Sequence, residues 1–163
     1  MKKSMVYFFI VLSLFLVIGC SNTEVKLPET EEESLVGYMV IEDDNLYFDD
    51  VEIIRTEDRE RIAELELKQQ DDMPNGYYIY NVDTEKQTYD LTKETVYSFV
   101  DTNLLFVKNK DGDRVYTTTK KEEFILHLNT SYSDSPPAQK VPFFIEVKNG
   151  KVISITEKFE YTI

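Results

Sequence analysis

Apolar and polar positions alternate in short runs along most of this chain, which is typical of β-strands rather than long helices. The runs are rich in β-branched and aromatic residues, and Asp, Asn, Gly and Pro separate them. We expect strands at residues 35–42, 46–54, 77–81, 88–91, 95–101, 104–108 and 114–117, and a closing hairpin around Asn149-Gly150. Gly37 lies inside the first of these strands and predicts a bulge or a bend there.

Two registers are open for the closing hairpin. A two-residue turn at Asn149-Gly150 pairs Phe143 with Thr156 and sets apolar against polar residues on one face. A three-residue loop with Gly150 in the left-handed conformation pairs Phe143 with Ile155 and gives a continuous apolar face. We therefore predict the three-residue loop with a G1 bulge.

Helical patterns occur twice. Thr56 is the expected N-cap of a short helix over residues 57–67, with acidic residues in its first turn. Thr119 and Glu122 have the spacing of a capping box, in which each side chain accepts a hydrogen bond from a backbone N–H. They predict a second helix over residues 120–129.

The first twenty residues have a different character. Lys2 and Lys3 precede an uncharged, almost wholly apolar run at residues 5–18, and Gly19 and Cys20 follow at once. Fourteen residues of helix span roughly 21 Å at about 1.5 Å per residue. A transmembrane helix must cross about 30 Å of hydrocarbon. The pattern therefore predicts a secretory signal peptide, helical in its apolar run.

Val17-Ile18-Gly19-Cys20 resembles the lipobox of bacterial lipoproteins. The resemblance implies a signal peptide at residues 1–19, cleavage between Gly19 and Cys20, and a diacylglycerol on the Cys20 thiol. The protein would then be anchored by lipid at the extracytoplasmic face of the cell membrane. An ordinary signal peptide with a chance cysteine and an uncleaved membrane anchor are the alternatives. Cys20 is the only cysteine, so the chain can form no internal disulfide.

Charge shapes the expected mature protein. The chain has a formal net charge of −13, which becomes −15 when residues 1–19 and their two lysines are removed. Residues 20–34 hold the lipidated cysteine and an acidic stretch, and they read as a flexible tether with a reach of roughly 20 Å. Residues 35–163 then form a single β-rich domain. Its negative charge repels phosphate backbones, so nucleic acid is not an expected partner.

The predicted elements define a mainly β (α+β) fold, a small antiparallel barrel with one or two short helices. Their order resembles that of an OB-fold, in which a helix between the third and fourth strands closes the end of a five-stranded barrel. The helix at 57–67 and the strand at 77–81 would then be an insertion. A generic α+β sheet with one packed helix is the alternative. Segments at 37–38, 72–81 and 147–152 also look like those of uncharacterised bacterial exported proteins, which implies a shared fold and no activity.

Candidate catalytic groups are few. His127 is the only histidine, and its position in the helical pattern predicts a surface residue off the apolar face. Without a second histidine or a cysteine in the domain, a zinc site is not expected. No serine lies in a nucleophile motif such as G-x-S-x-G. We therefore predict no catalytic residue, no metal site and no cofactor.

One acidic loop has the alternating oxygen ligands of a calcium site. Asn109, Asp111 and Asp113 have suitable spacing, but the glycine falls at the fourth position, and Lys120 stands where a bidentate glutamate belongs. Turn formation explains the same residues without a metal.

Tyrosine is the remaining unusual feature. Tyr78 and Tyr80 share one face of their strand, and an exposed pair would suit a binding surface for an envelope protein, a peptide or a saccharide. The alternative is that both tyrosines are ordinary strand residues whose hydroxyls contact water. We expect a non-enzymatic binding module on a membrane-anchored lipoprotein. The alternative is a small envelope hydrolase or metal-dependent enzyme that uses paired carboxylates.

Overall fold

The computed structural model describes residues 31–82, 85–108, 112–132, 141–158 and residue 160. This part of the chain is mainly β-strand with three short helices, which confirms the predicted fold class at that level. In chain order the elements are β1 (Glu32–Glu42), β2 (Asn45–Asp50), β3 (Glu52–Arg55), α1 (Arg59–Glu64), α2 (Gln69–Asp72), β4 (Tyr77–Tyr80), β5 (Gln87–Asp90), β6 (Val96–Val100), β7 (Val115–Thr118), α3 (Lys121–Ser131), β8 (Phe143–Lys148) and β9 (Lys151–Glu157). β1 begins inside the segment expected to be a tether. The signal helix predicted at residues 1–19 lies outside the described residues.

Seven strands form one sheet in the order β5-β2-β1-β8-β9-β6-β7. Most neighbours are antiparallel, as predicted, but β6 and β9 run parallel. A second parallel contact, between Asp90 and Lys151, joins β5 to β9 and closes a ring of five strands. Parallel neighbours need a long crossover connection. Here β7, α3 and β8 lie between β6 and β9 in the chain and provide it.

β1 changes partner at Gly37. The half of the strand before Gly37 pairs with β8, and the half after it pairs with β2. A Cβ atom at Gly37 would lie 2.1 Å from the backbone oxygen of Asp49, which is far inside van der Waals contact. Only glycine fits so close an approach. The close approach explains the glycine in this strand, and the bulge or bend predicted at Gly37 stays a prediction.

The second predicted strand, residues 46–54, is two strands in two sheets. β2 belongs to the large sheet, whereas β3, among the described strands, pairs only with β4 in a separate two-stranded sheet. The extended segment is interrupted at Val51, which is buried and donates its backbone N–H to the Val36 oxygen at 2.8 Å. After this interruption, β3 leaves the large sheet and pairs with β4 instead.

The closing hairpin has the register of the two-residue turn, so the prediction of a three-residue loop is wrong. Val147 pairs with Val152, and Asn149 and Gly150 have φ angles of 52° and 75°, as in a type I′ turn. The register then shifts by one residue beyond Glu146–Val147. This bulge sets Ile145 opposite Ile155. The apolar face is therefore continuous because of a bulge within the strand.

Both predicted helices begin at other residues than expected. Asp58, not Thr56, is the N-cap position of α1, and its carboxylate accepts the backbone N–H of Arg55 at 2.8 Å. The predicted capping box of Thr119 and Glu122 does not form at α3. Instead Thr118 accepts the N–H of Lys120 and donates its hydroxyl to Glu123 at 2.8 Å.

Residues 104–108 were predicted to be a strand, and this is wrong. The backbone N–H groups of Leu105, Phe106 and Val107 all donate to the carboxylate of Asp101, at 2.7 to 2.9 Å. N–H groups held by one carboxylate cannot join a sheet ladder. Leu104 has a φ of 55°, which also ends extended structure at this point.

The core lies between the inner face of the large sheet and α3. Phe124 of α3 stacks on Tyr97 with ring centroids 4.8 Å apart, and it meets the edge of Phe143 at 6.0 Å. Aliphatic residues of the other strands complete it, among them Leu46, Ile145, Val147, Val152 and Ile155. Aromatic rings thus fix α3 against the sheet.

Candidate functional site

Of the residues singled out from the sequence, Gly19 and Cys20 lie outside the described part of the chain. Tyr78 and Tyr80 lie on β4, where all four residues are half-buried. They pair with Ile54 and Glu52 of β3, so they share one strand face as expected. Their surroundings nevertheless differ.

Tyr80 contacts a cation from the protein itself. The Arg61 guanidinium of α1 lies over the Tyr80 ring, 5.0 Å from its centroid. Arg61 also bonds Glu52 through two of its nitrogens, at 2.8 to 3.0 Å, and pairs with Glu64 at 2.6 Å. Tyr80 therefore helps to hold α1 on the β3–β4 pair.

Tyr78 lines a surface groove, which we call the aromatic groove. It is an open depression of about 360 Å³ between β1 and β4. Its lining residues are mostly aromatic or apolar, with a few uncharged amides and one carboxylate: Tyr38, Asp72, Pro74, Asn75, Tyr77, Tyr78, Ile79 and Asn81. None of the described residues that line it is a lysine, an arginine or a histidine.

The wall formed by β1 was not anticipated from the sequence. Tyr38 lies on β1 between buried Gly37 and buried Met39, so strand alternation directs it to the outer face. Its cross-strand partner on β2 is Asp49. The alternation around Gly37 was the signal that could have identified Tyr38 beforehand.

Asp49 links the two walls of the aromatic groove. The Asn81 amide donates to both carboxylate oxygens of Asp49, each at 3.2 Å. Burial, then the charge of Asp49 and the neighbouring Tyr77, raise the pKa of Tyr38 above its usual value. The hydroxyl of Tyr38 therefore lies in a negative environment and stays protonated.

A second polar cluster is enclosed in the core, and it corrects the prediction for His127. His127 is 1% exposed rather than a surface residue. Its Nε2 lies 3.0 Å from Oε2 of Glu157, its Nδ1 lies 3.2 Å from the Ser131 hydroxyl, and Phe99 stacks on its ring at 4.1 Å. The prediction of a surface position was wrong because a histidine whose two ring nitrogens both have hydrogen-bond partners can be buried like an apolar residue.

Glu157 is satisfied on both oxygens. Tyr132 donates its hydroxyl to Oε1, and the backbone N–H of Val100 donates to Oε2 at 2.9 Å. Burial and the Glu157 carboxylate raise the pKa of Tyr132. Burial disfavours the charge of nearby Asp101, but its three backbone donors and His127 hold the Asp101 pKa below its usual value.

Ser131, His127 and Glu157 have the residue types of a nucleophilic triad, but their placement favours a structural role. A nucleophile and its base must reach the substrate. His127 and Glu157 are only 1% and 4% exposed, and Ser131 bonds Nδ1 from one helical turn away. The cluster joins α3 to β6 and β9 through hydrogen bonds.

The acidic loop considered for calcium is only partly described. Asn109 and Asp111 lie outside the described residues, and Asp113 uses Oδ1 to accept the backbone N–H of Val115 at 2.9 Å. Within the described ranges, no group of three or more His, Cys, Asp or Glu side chains could hold a metal ion.

Comparisons with known proteins add no family. No family model, no curated protein and no solved structure matches this chain. Among the helices of residues 31–160 that the structure describes, none has both the length and the apolar character needed to cross a membrane.

Proposed function

We propose that this protein is a lipid-anchored envelope lipoprotein whose β-rich domain binds an extracytoplasmic partner without catalysis. The aromatic groove is the observation that carries the binding role. Its tyrosine rings are half-buried, and the exposed part of each combines apolar contact area with a hydrogen-bonding hydroxyl. The polar groups best suited to acid–base chemistry, His127 and Glu157, are closed to solvent instead.

The anchor is proposed from the leader and the lipobox residues Gly19 and Cys20. Two or more acyl chains on Cys20, each CH₂ contributing about 0.8 kcal/mol, would hold the protein stably at the membrane. Cys20→Ser should abolish incorporation of labelled fatty acid and leave the precursor uncleaved. Unchanged labelling of the serine variant would contradict the anchor.

Photo-crosslinking tests the binding role. A photoreactive amino acid at Asn75, on the rim of the aromatic groove, should give a discrete crosslinked species in intact cells. The same amino acid at exposed Val115 on β7 serves as the control. The yield of the Asn75 species should fall when Tyr38→Leu is added. Identical patterns from both positions, or none from Asn75, would contradict binding at the groove.

We also propose that the ring of five strands is an OB-type barrel. Taken in chain order, the ring strands are β1, β2, β5, β8 and β9, and α3 falls between the third and fourth of them. That order supports the proposal. A nuclear Overhauser contact between the backbones of Asp90 and Lys151 is expected, and its absence in a folded sample would count against a closed barrel.

A further inference from the structure

We propose that the aromatic groove binds a cationic peptide segment, whose lysine or arginine side chain lies against Tyr38 and Tyr78 and is neutralised by Asp49 and Asp72. This inference rests on the proposed binding function and names the chemistry of the partner. It is carried by the charge and shape of the groove.

The first argument is charge complementarity. Asp72 lines the groove, Asp49 lies opposite Tyr38, and the described lining residues include no basic side chain. Neither aspartate takes part in any ion pair between described residues. Asp49 accepts hydrogen bonds from the Asn81 amide, and a carboxylate has capacity for further donors. A cation that enters the groove therefore meets two carboxylates that have no positively charged partner among the described residues.

The second argument is the way aromatic rings are used elsewhere in the same molecule. Arg61 lies over Tyr80, and the Lys158 ammonium lies 4.1 Å from the centroid of Phe144. In both places a cation from the protein covers an aromatic ring, an arrangement favoured by the ring quadrupole. Tyr38 and Tyr78 have aspartates nearby, and the described residues that line the groove with them include no lysine or arginine. A cation from another molecule would complete the same arrangement there.

The third argument concerns the form of the ligand. β4, which forms one wall of the groove, has β3 as its single neighbour among the described strands. An edge strand beside a groove is the usual receptor for an extended peptide, which adds main-chain hydrogen bonds while its side chains enter pockets. The protein's strong negative charge also steers a cationic chain toward it.

A peptide titration tests this. The full-length chain in non-ionic detergent is titrated into a fluorescein-labelled octapeptide of alternating lysine and alanine, with fluorescence anisotropy as the readout. The same peptide with acetylated lysines is the control ligand. We expect the acetylated peptide to bind about tenfold more weakly, and 0.5 M salt to weaken the lysine peptide by a similar factor.

Variants distinguish the groove from the overall charge. Tyr38→Phe keeps the ring and should keep the affinity, whereas Tyr38→Leu should lower it about fivefold. Asp72→Asn should weaken binding more than Asp90→Asn, which removes the same charge from an exposed strand residue outside the groove. Circular dichroism checks folding, and if Tyr38→Leu does not fold, the comparison of the two aspartate variants decides.

Three outcomes overturn the inference: equal affinity for both peptides, equal effects of Asp72→Asn and Asp90→Asn, or competition by a neutral oligosaccharide but not by free polylysine. If the crosslink from Asn75 persists in any of these cases, the binding function stands and only the cationic ligand is rejected. If Asn75 gives no crosslinked species either, both the binding function and the cationic ligand are rejected.

Discussion

His127 and Glu157 form a hydrogen-bonded pair with 3.0 Å between Nε2 and Oε2, and solvent reaches neither side chain. Thirty residues separate them in the chain, and their bond joins α3 to the end of β9. A buried polar pair of this kind contributes little compared with a well-packed apolar pair, but removing one partner leaves the other unsatisfied.

This asymmetry gives a double-mutant prediction. His127→Leu should lower the free energy of unfolding by about 3 to 5 kcal/mol, because it leaves the Glu157 carboxylate buried without the imidazole. Glu157→Leu should cost less in the His127→Leu background than in the parent, because the bond between the two is already lost, so the two effects will not be additive. Urea unfolding of the four chains measures the coupling. Additive losses would show that the pair acts as two independent groups.

Asp101 provides the second prediction. Its carboxylate accepts three backbone N–H groups, so Asp101→Asn replaces one acceptor oxygen with a donor that faces them. We expect a loss of roughly 2 to 4 kcal/mol in the free energy of unfolding at pH 7. Asp90→Asn, on an exposed strand position, should change it by less than about 0.5 kcal/mol.

The same residue sets a pH dependence. The pKa of Asp101 is lower in the folded protein than in the unfolded chain. Its contribution is therefore complete above the unfolded pKa, about 3.9, and is lost as pH falls through the folded value. Stability measured from pH 5 down to pH 2 should fall more steeply for the parent than for Asp101→Asn. Parallel curves would contradict this.

Local sequence predicted those features that depend on neighbouring residues. The strand at 77–81 and the existence of a helix near 120–129 both followed from short patterns. Features decided by side-chain hydrogen bonds were missed. His127 is buried because it pairs with Glu157, thirty residues further along the chain. Residues 104–108 are not a strand because Asp101, four to six residues before the donors, accepts their backbone N–H groups. The alternation of apolar and polar residues indicates neither partner.

Only the β4 side of the aromatic groove could be predicted from the sequence. Alternation placed Tyr78 and Tyr80 on one face, but it could not tell that Arg61 covers Tyr80. Tyr38 and Tyr78 line the same groove because the strand is interrupted at Val51, after which β3 and β4 form a separate sheet. A long-range chain path therefore assembled the groove, and residue types alone did not indicate it.

Gly37 provides a prediction with an internal control. Gly37→Ala forces a Cβ atom against the Asp49 backbone, so β1 and β2 must separate, and we expect a loss of at least about 3 kcal/mol. Gly150→Ala meets no atom within 4 Å and strains only a φ of 75°, which should cost about 1 kcal/mol. Thermal unfolding of both variants compares the two. Equal losses would contradict a steric requirement for glycine at position 37.

Tyr97 and Tyr132 predict weakening at high pH. Burial raises the Tyr97 pKa to about 12, and Tyr132 is raised by burial and by Glu157. Their stabilisation is complete below the unfolded tyrosine pKa of about 10, and it is lost as pH rises because the unfolded chain ionises first. Tyr97 alone should account for roughly 2 to 3 kcal/mol between pH 10 and pH 12. Urea unfolding across this range should show a shallower decline in Tyr132→Phe than in the parent. A decline that is unchanged in this variant would mean that Tyr132 ionises equally easily in both states.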